Sequence, residues 1–189
     1  MLGVIDESIV QKRDGKYIYL MSLILIEDAL VGAISTDLRI WLNRKKPFHW
    51  TKDKGSKLRS EIFSRFNIYN LQVVIGASEK EDTTGQAARE RIWQNVLLPQ
   101  ASKVGVTQLQ IEQRSNSQDS LDIVLIRNWC RDNSWRGVSH NHVGKNSELV
   151  WLADAAAGAW GDIYKSERQP HIFEIIEGLN LRHVSHIEL

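Results

Sequence analysis

Two hydrophobic rhythms take turns along this chain. Residues 2–8 read LGVIDES, an apolar run that closes on the adjacent acids Asp6 and Glu7. The polar turn QKRDGK follows, with Asp14–Gly15 as its sharpest bend, and then YIYLMSLILI, Tyr17 to Ile26. Those ten residues are half of the about 20 that a membrane span requires, so they predict a buried strand. The tight turn pairs it antiparallel with the first strand, Leu2 to Ser8. Asp28 can cap a helix running to about Asn43, in which Leu30, Ala33, Ile34, Leu38 and Trp41 recur near helical spacing. A second helix, capped by Ser56, carries Leu58, Ile62, Phe63 and Phe66. LQVVIGAS (71–78) predicts a strand, and residues 84–103 a long helix that Pro99 kinks or shortens and Gly105 ends. TQLQIEQR (107–114) reads as a strand, 118–131 as a helix, WRGVSHNHV as a last core strand and NSELVWLADAAAGAWGDIY as a helix. The tail from His171 to Leu189 has no clear period.

A hairpin followed by alternating helices and strands implies a mixed sheet covered by helices. The order fits an α/β, ribonuclease H-like fold: a mixed five-stranded sheet flanked by helices, with a helical insertion between strands 2 and 3. The 189 residues suit a single domain, 1–189, in which 28–68 form the helical, basic insertion. With 42% hydrophobic and 25% charged residues, the composition is that of an ordinary globular protein.

Strand alternation assigns the acids. Leu2, Val4, Asp6 and Ser8 share one face, while Glu7 points to the other. Glu112 also ends an apolar strand, near Gln110 and Arg114. If the two strands are parallel neighbours, Asp6 and Glu112 meet at their carboxyl ends, where open α/β sheets place their sites. Asp154 lies on the shoulder of the apolar stripe of the last helix, beside Ala157, Gly158 and Gly161, which permit close approach of another element. Three carboxylates about 5 Å apart would repel by ~3 kcal/mol per pair at an effective dielectric of 20, so a cation is expected among them. Oxygen-only ligands favour Mg²⁺ or Mn²⁺. Two such ions can activate a water and stabilise the leaving oxygen of a phosphodiester.

Charge adds a partner. The net charge is only +1, but Arg39 to Phe66 contains nine Lys or Arg against Asp53 and Glu61. That segment is +7 and the remainder −6, an asymmetry expected of a polyanion-binding face. Within it, Lys45, Lys46, His49, Trp50 and Lys52 could bind nucleic acid, the aromatic stacking on bases and the cations on phosphates, with Arg114 beside Glu112. His140 and His142, at strand spacing and followed by Lys145, could contact a metal or phosphate.

"IDES" at the first strand, the Ile-Glu-Gln-Arg strand end and "LVWLADAAAGA" in the last helix resemble the domain-of-unknown-function family 3800, a bacterial and phage group with a ribonuclease H-like fold. The resemblance runs from Val4 to about Ile163. It implies an acidic site with Asp6 and Asp154 at matching positions and Glu7 and Ser8 in the same motif. Glu112 stands where such strands often carry Asp, and Ile9 where glycine commonly follows.

No Gly-rich phosphate loop, His-Glu-x-x-His or paired-cysteine motif occurs, which argues against ATPases, zinc peptidases and dinucleotide oxidoreductases. Cys130 and Ser8 have no catalytic context, and the lone cysteine fits a reducing compartment. With no secretory signal or membrane span evident, the expected location is cytoplasmic. The sequence therefore predicts a metal-dependent nuclease built on Asp6, Glu112 and Asp154, with DNA or RNA unresolved. The alternative is a non-catalytic nucleic-acid-binding or assembly module of the same fold. Whether Glu7, Glu148 or Asp162 adds a fourth carboxylate stays open.

Overall fold

The computed structural model describes residues 1–41, 46–80, 85–165 and 184–188. The hairpin strands β1 (Leu2–Gln11) and β2 (Tyr17–Ile26) lead into helices α1 (Asp28–Trp41) and α2 (Ser56–Ile68). Strand β3 (Gln72–Glu79) precedes a helical run of α3 (Gln86–Ile92), a π turn (Trp93–Leu97) and α4 (Leu98–Lys103). Then come β4 (Gln108–Glu112), α5 (Asn116–Asp132), β5 (Ser139–Val143), α6 (Glu148–Tyr164) and β6 (Val184–Glu188).

The sheet order is β5-β4-β1-β2-β3-β6. β2 runs antiparallel to β1 and β3, and every other pairing is parallel. The five expected strands thus form one mixed sheet flanked by helices. A sixth strand, β6, arises from the tail whose pattern was uninformative; five residues are too few to display a period.

Alternation sorts the core into two layers. Leu2, Val4, Ile18, Leu20, Ile24, Val73 and Ile75 face α1, α2 and α6. Ile5, Tyr19, Met21, Leu23 and Val74 face the α3–α4 run and α5. Glycine lets the second layer close: a Cβ on Gly76 of β3 would run into the Ile92 side chain. Gly85, with φ of 75°, turns the chain into α3 against the Tyr19 ring.

Several local expectations change. Asp28 is the first residue of α1 rather than its cap, and its carboxylate accepts from the Met1 ammonium (2.7 Å). Gly55, rather than Ser56, occupies the N-cap of α2, and Ser56 is already helical. Of the two effects expected of Pro99, shortening does not occur, since the helical run continues to Lys103. The missing N–H and the ring of Pro99 conflict with the Asn95 carbonyl of a regular helix, and the π turn at Trp93–Leu97 accommodates them. The 118–131 helix begins earlier, at Asn116, because Ser115 and Gln118 form a reciprocal capping box. No described helix is long and apolar enough to cross a membrane.

Candidate acidic site

β1 and β4 pair in parallel with Ile5 opposite Ile111, so the next residues, Asp6 and Glu112, emerge side by side. Glu112 ends β4, but Asp6 lies midway along β1, which runs on to Gln11 rather than stopping near Ser8 as expected. Both lie on the α6 side of the sheet. Asp154 reaches them from α6, which is tied down one residue earlier: Ser22, the β2 partner of Asp6, donates its hydroxyl to the Ala153 carbonyl (2.8 Å). Gly161 contributes to the close approach, since a Cβ there would press on Val10 of β1. Asp6, Glu112 and Asp154 line one small pocket, together with Phe48, His49 and Lys145.

The pocket is electrically crowded. Asp6 is only 4% exposed, and burial pushes its carboxyl well above the usual range, reinforced by a hydrogen bond with Glu112 and by the charges of Glu112 and Asp154. Burial also works upward on Glu112, but hydrogen bonds from Asp6 and Lys145 overcome it and hold that carboxyl low. Asp154 is raised by burial, against the opposing pull of the Trp50 N–H and His49. Its Oδ2 accepts from the Trp50 backbone N–H (2.7 Å) and lies 3.5 Å from His49 Nδ1. Lys145 Nζ is 2.9 Å from Glu112 Oε1.

The loop bearing His49 is set by a buried anchor. Trp50 is 1% exposed, its Nε1 donates to Asp162 (2.8 Å), and Arg59 lies 3.8 Å above its ring. The ring occupies the space that a side chain at Gly158 would need. Trp50 is consequently not a surface for base stacking, as the sequence suggested; an indole beside basic residues has gone into the core instead. His49 remains half-buried at the pocket, and Lys46 and Lys52 are exposed. Lys45 lies outside the described residues.

The positive segment is partly spent internally. Arg59 pairs with Asp162 (3.4 Å), Arg65 with Asp37 (3.2 Å) and Arg39 with Glu148 (2.5 Å). Those contacts also answer the question of a fourth carboxylate. Asp162 holds Trp50 and Arg59, and Glu148 holds Arg39 and Ser35. Glu7 points to the opposite face, as alternation required.

That opposite face carries a cluster the sequence did not reveal. Glu7 accepts from Tyr19 and Arg89. Arg89, 2% exposed, also grips Asp122 through Nε (2.9 Å) and Nη2 (2.6 Å). Arg114, expected beside Glu112 to bind substrate, belongs here: its Nη2 meets Asp122 (3.1 Å), and its side chain is 11% exposed. The chain turns after Glu112, where β4 ends, so strand alternation no longer governs residue 114. His140 and His142 face this side too, not the Asp154 helix; His142 Nε2 lies 3.5 Å from Asp122 and 3.7 Å from Asp119.

Among the described residues, Asp119, Asp122 and His142 are the group whose ligand atoms all lie within 4.8 Å of one another. Asp122 is already saturated by two guanidiniums, whose charges hold its carboxyl low despite burial. A metal ion there would have to displace both. Asp6, Glu112 and Asp154 line one pocket but do not bring three ligand atoms within 4.8 Å of one another, short of the spacing expected of them, and the Lys145 ammonium lies against Glu112. No family model matches the chain, and no match to a curated protein was found.

Proposed function

We propose that this chain is a ribonuclease H-like, divalent-metal-dependent nuclease that hydrolyses nucleic-acid phosphodiester bonds. Asp6, Glu112 and Asp154 would hold Mg²⁺ or Mn²⁺. The observation that carries the reading is the convergence of three acids from β1, β4 and α6 on one pocket, with Asp6 and Asp154 pushed toward their protonated forms. Support for the fold assignment comes from the order β5-β4-β1-β2-β3, with β2 alone reversed, and from α1 and α2 as an insertion between β2 and β3.

Bound in this pocket, a divalent ion would supply an activated water and stabilise the leaving oxygen. The protein's own part is positional. Parallel strands fix Asp6 and Glu112, and the Ser22–Ala153 bond fixes Asp154. The Trp50-anchored loop brings His49 beside Asp154, where its imidazole can hold a proton. The same loop carries Lys46 and Lys52 to meet the phosphates of DNA or RNA. Asp154→Asn is expected to fold normally, lose Mn²⁺-dependent cleavage and bind Mn²⁺ more weakly; full cleavage by that variant rejects the site.

One observation favours a second reading, a non-catalytic nucleic-acid-binding or assembly module. The Lys145 ammonium, 2.9 Å from Glu112, already offsets part of the charge without any metal. Calorimetry with Mn²⁺ separates the two, because a module of that kind needs no metal affinity.

A further inference from the structure

Lys145 lines the acidic pocket with its ammonium against Glu112. Its backbone is fixed just after β5: Trp151 Nε1 donates to the Lys145 carbonyl (2.9 Å), and the Ser147 N–H to the Gly144 carbonyl (2.9 Å). From that fixed point the ammonium reaches back to Glu112 at 2.9 Å, within the influence of Asp6 and Asp154. Yet 60% of the side chain is exposed, so its stem is not locked by packing.

An ammonium on a four-carbon stem is a mobile point charge, unlike a guanidinium gripping a carboxylate bidentately. At equal distance a divalent ion attracts each carboxylate twice as strongly. The lysine is thus strong enough to quiet the acids and weak enough to be dislodged.

We propose that Lys145 is a resident counter-ion of the acidic pocket, displaced from Glu112 when a divalent ion enters and left at the pocket mouth to contact an incoming phosphate oxygen. The inference rests on the metal-site reading and adds a residue that works in both states. Without metal it neutralises Glu112; with metal it becomes a substrate contact.

The test compares Lys145→Met and Lys145→Arg with the unaltered full chain, by Mn²⁺ calorimetry and by melting in a chelator. Losing the ammonium removes a competitor, so Lys145→Met should bind Mn²⁺ about five- to twenty-fold more tightly. The same variant should melt lower in chelator, with Mn²⁺ closing the gap. Lys145→Arg should bind Mn²⁺ no more tightly than the unaltered protein, because a guanidinium is harder to displace. A residue that merely supports the structure would move both variants in one direction.

Unchanged or weaker Mn²⁺ binding by Lys145→Met overturns the proposal. Tight binding by that variant in a protein that cleaves no nucleic acid keeps the counter-ion and removes the nuclease. Silence toward Mn²⁺ in the unaltered chain and in both variants overturns both readings.

Discussion

Asp6 and Glu7 are adjacent in β1, yet they lead into two charged clusters on opposite faces of one sheet. On the α5 side, Glu7 and Asp122 are met by the guanidiniums of Arg89 and Arg114 and Asp119 by the Arg114 backbone N–H, and Asp122 is held below its ordinary pKa by that company. On the α6 side, Asp6, Glu112 and Asp154 share one lysine, and Asp6 and Asp154 are held above theirs. The first cluster pairs its acids with guanidiniums and cross-links β1, α3 and α5, though His142 Nε2 and Arg114 Nε stay buried without a hydrogen-bond partner among the described residues. The second is short of positive charge, and burial leaves Asp6 and Asp154 raised. Groups of acid mark a candidate site only where the positive charge runs short.

The largest expected effect comes from breaking the first cluster. Arg89→Met leaves Asp122 and Glu7 without their main partner, and should cost about 3–5 kcal/mol in urea unfolding. A loss below 1 kcal/mol would mean the two clusters are not different in kind. Next comes Asp6→Asn, which should raise metal-free stability at neutral pH by about 1–2 kcal/mol while abolishing Mn²⁺ binding. The sign follows from the raised folded pKa of Asp6: its favourable contribution is present below the unfolded carboxylate pKa and is lost as pH rises toward the folded value. Asp122 runs the other way, its contribution present above the unfolded pKa and lost as pH falls through the lower folded value. Urea midpoints in chelator at mildly acid and neutral pH should therefore diverge between the unaltered protein and Asp6→Asn mainly at the higher pH. A less stable Asp6→Asn at neutral pH refutes the strained carboxyl. The smallest effect is at the rim: Lys52→Ala should leave folding unchanged and reduce the salt dependence of nucleic-acid binding by about one unit of slope.

Much of this architecture was legible because a strand's period is two. Placing Leu2, Val4 and Asp6 on one face and Glu7 on the other needed no coordinates. Glu112 was put beside Asp6 by taking β1 and β4 as parallel neighbours that both end there, and the pairing holds although β1 runs on to Gln11. Asp154 was legible from its small neighbours, since Gly158 and Gly161 announce close packing before its partner is known. The misses share a cause. Parity lapses where a strand ends, so Arg114 went to the wrong cluster. Trp50 sits among lysines, and nothing local shows that Asp162 and Arg59, over 100 and nine residues away in the chain, would bury it. Arg89 and Asp122 are separated by 33 residues and carry no spacing that pairs them. Long-range ion pairing depends on the packing of helices against the sheet, which periodicity does not encode.

Gly158 has an effect out of proportion to its size. By lacking a methyl group it leaves a socket in α6, and the indole of Trp50 fills it. The Trp50 amide that steadies Asp154 belongs to the residue whose ring is plugged into the same helix one turn further on. Ring and amide form a two-point clamp, so the loop's pose at the acids is dictated by steric vacancy on the helix. Gly32 and Gly55, with open space around the missing Cβ, carry no comparable constraint.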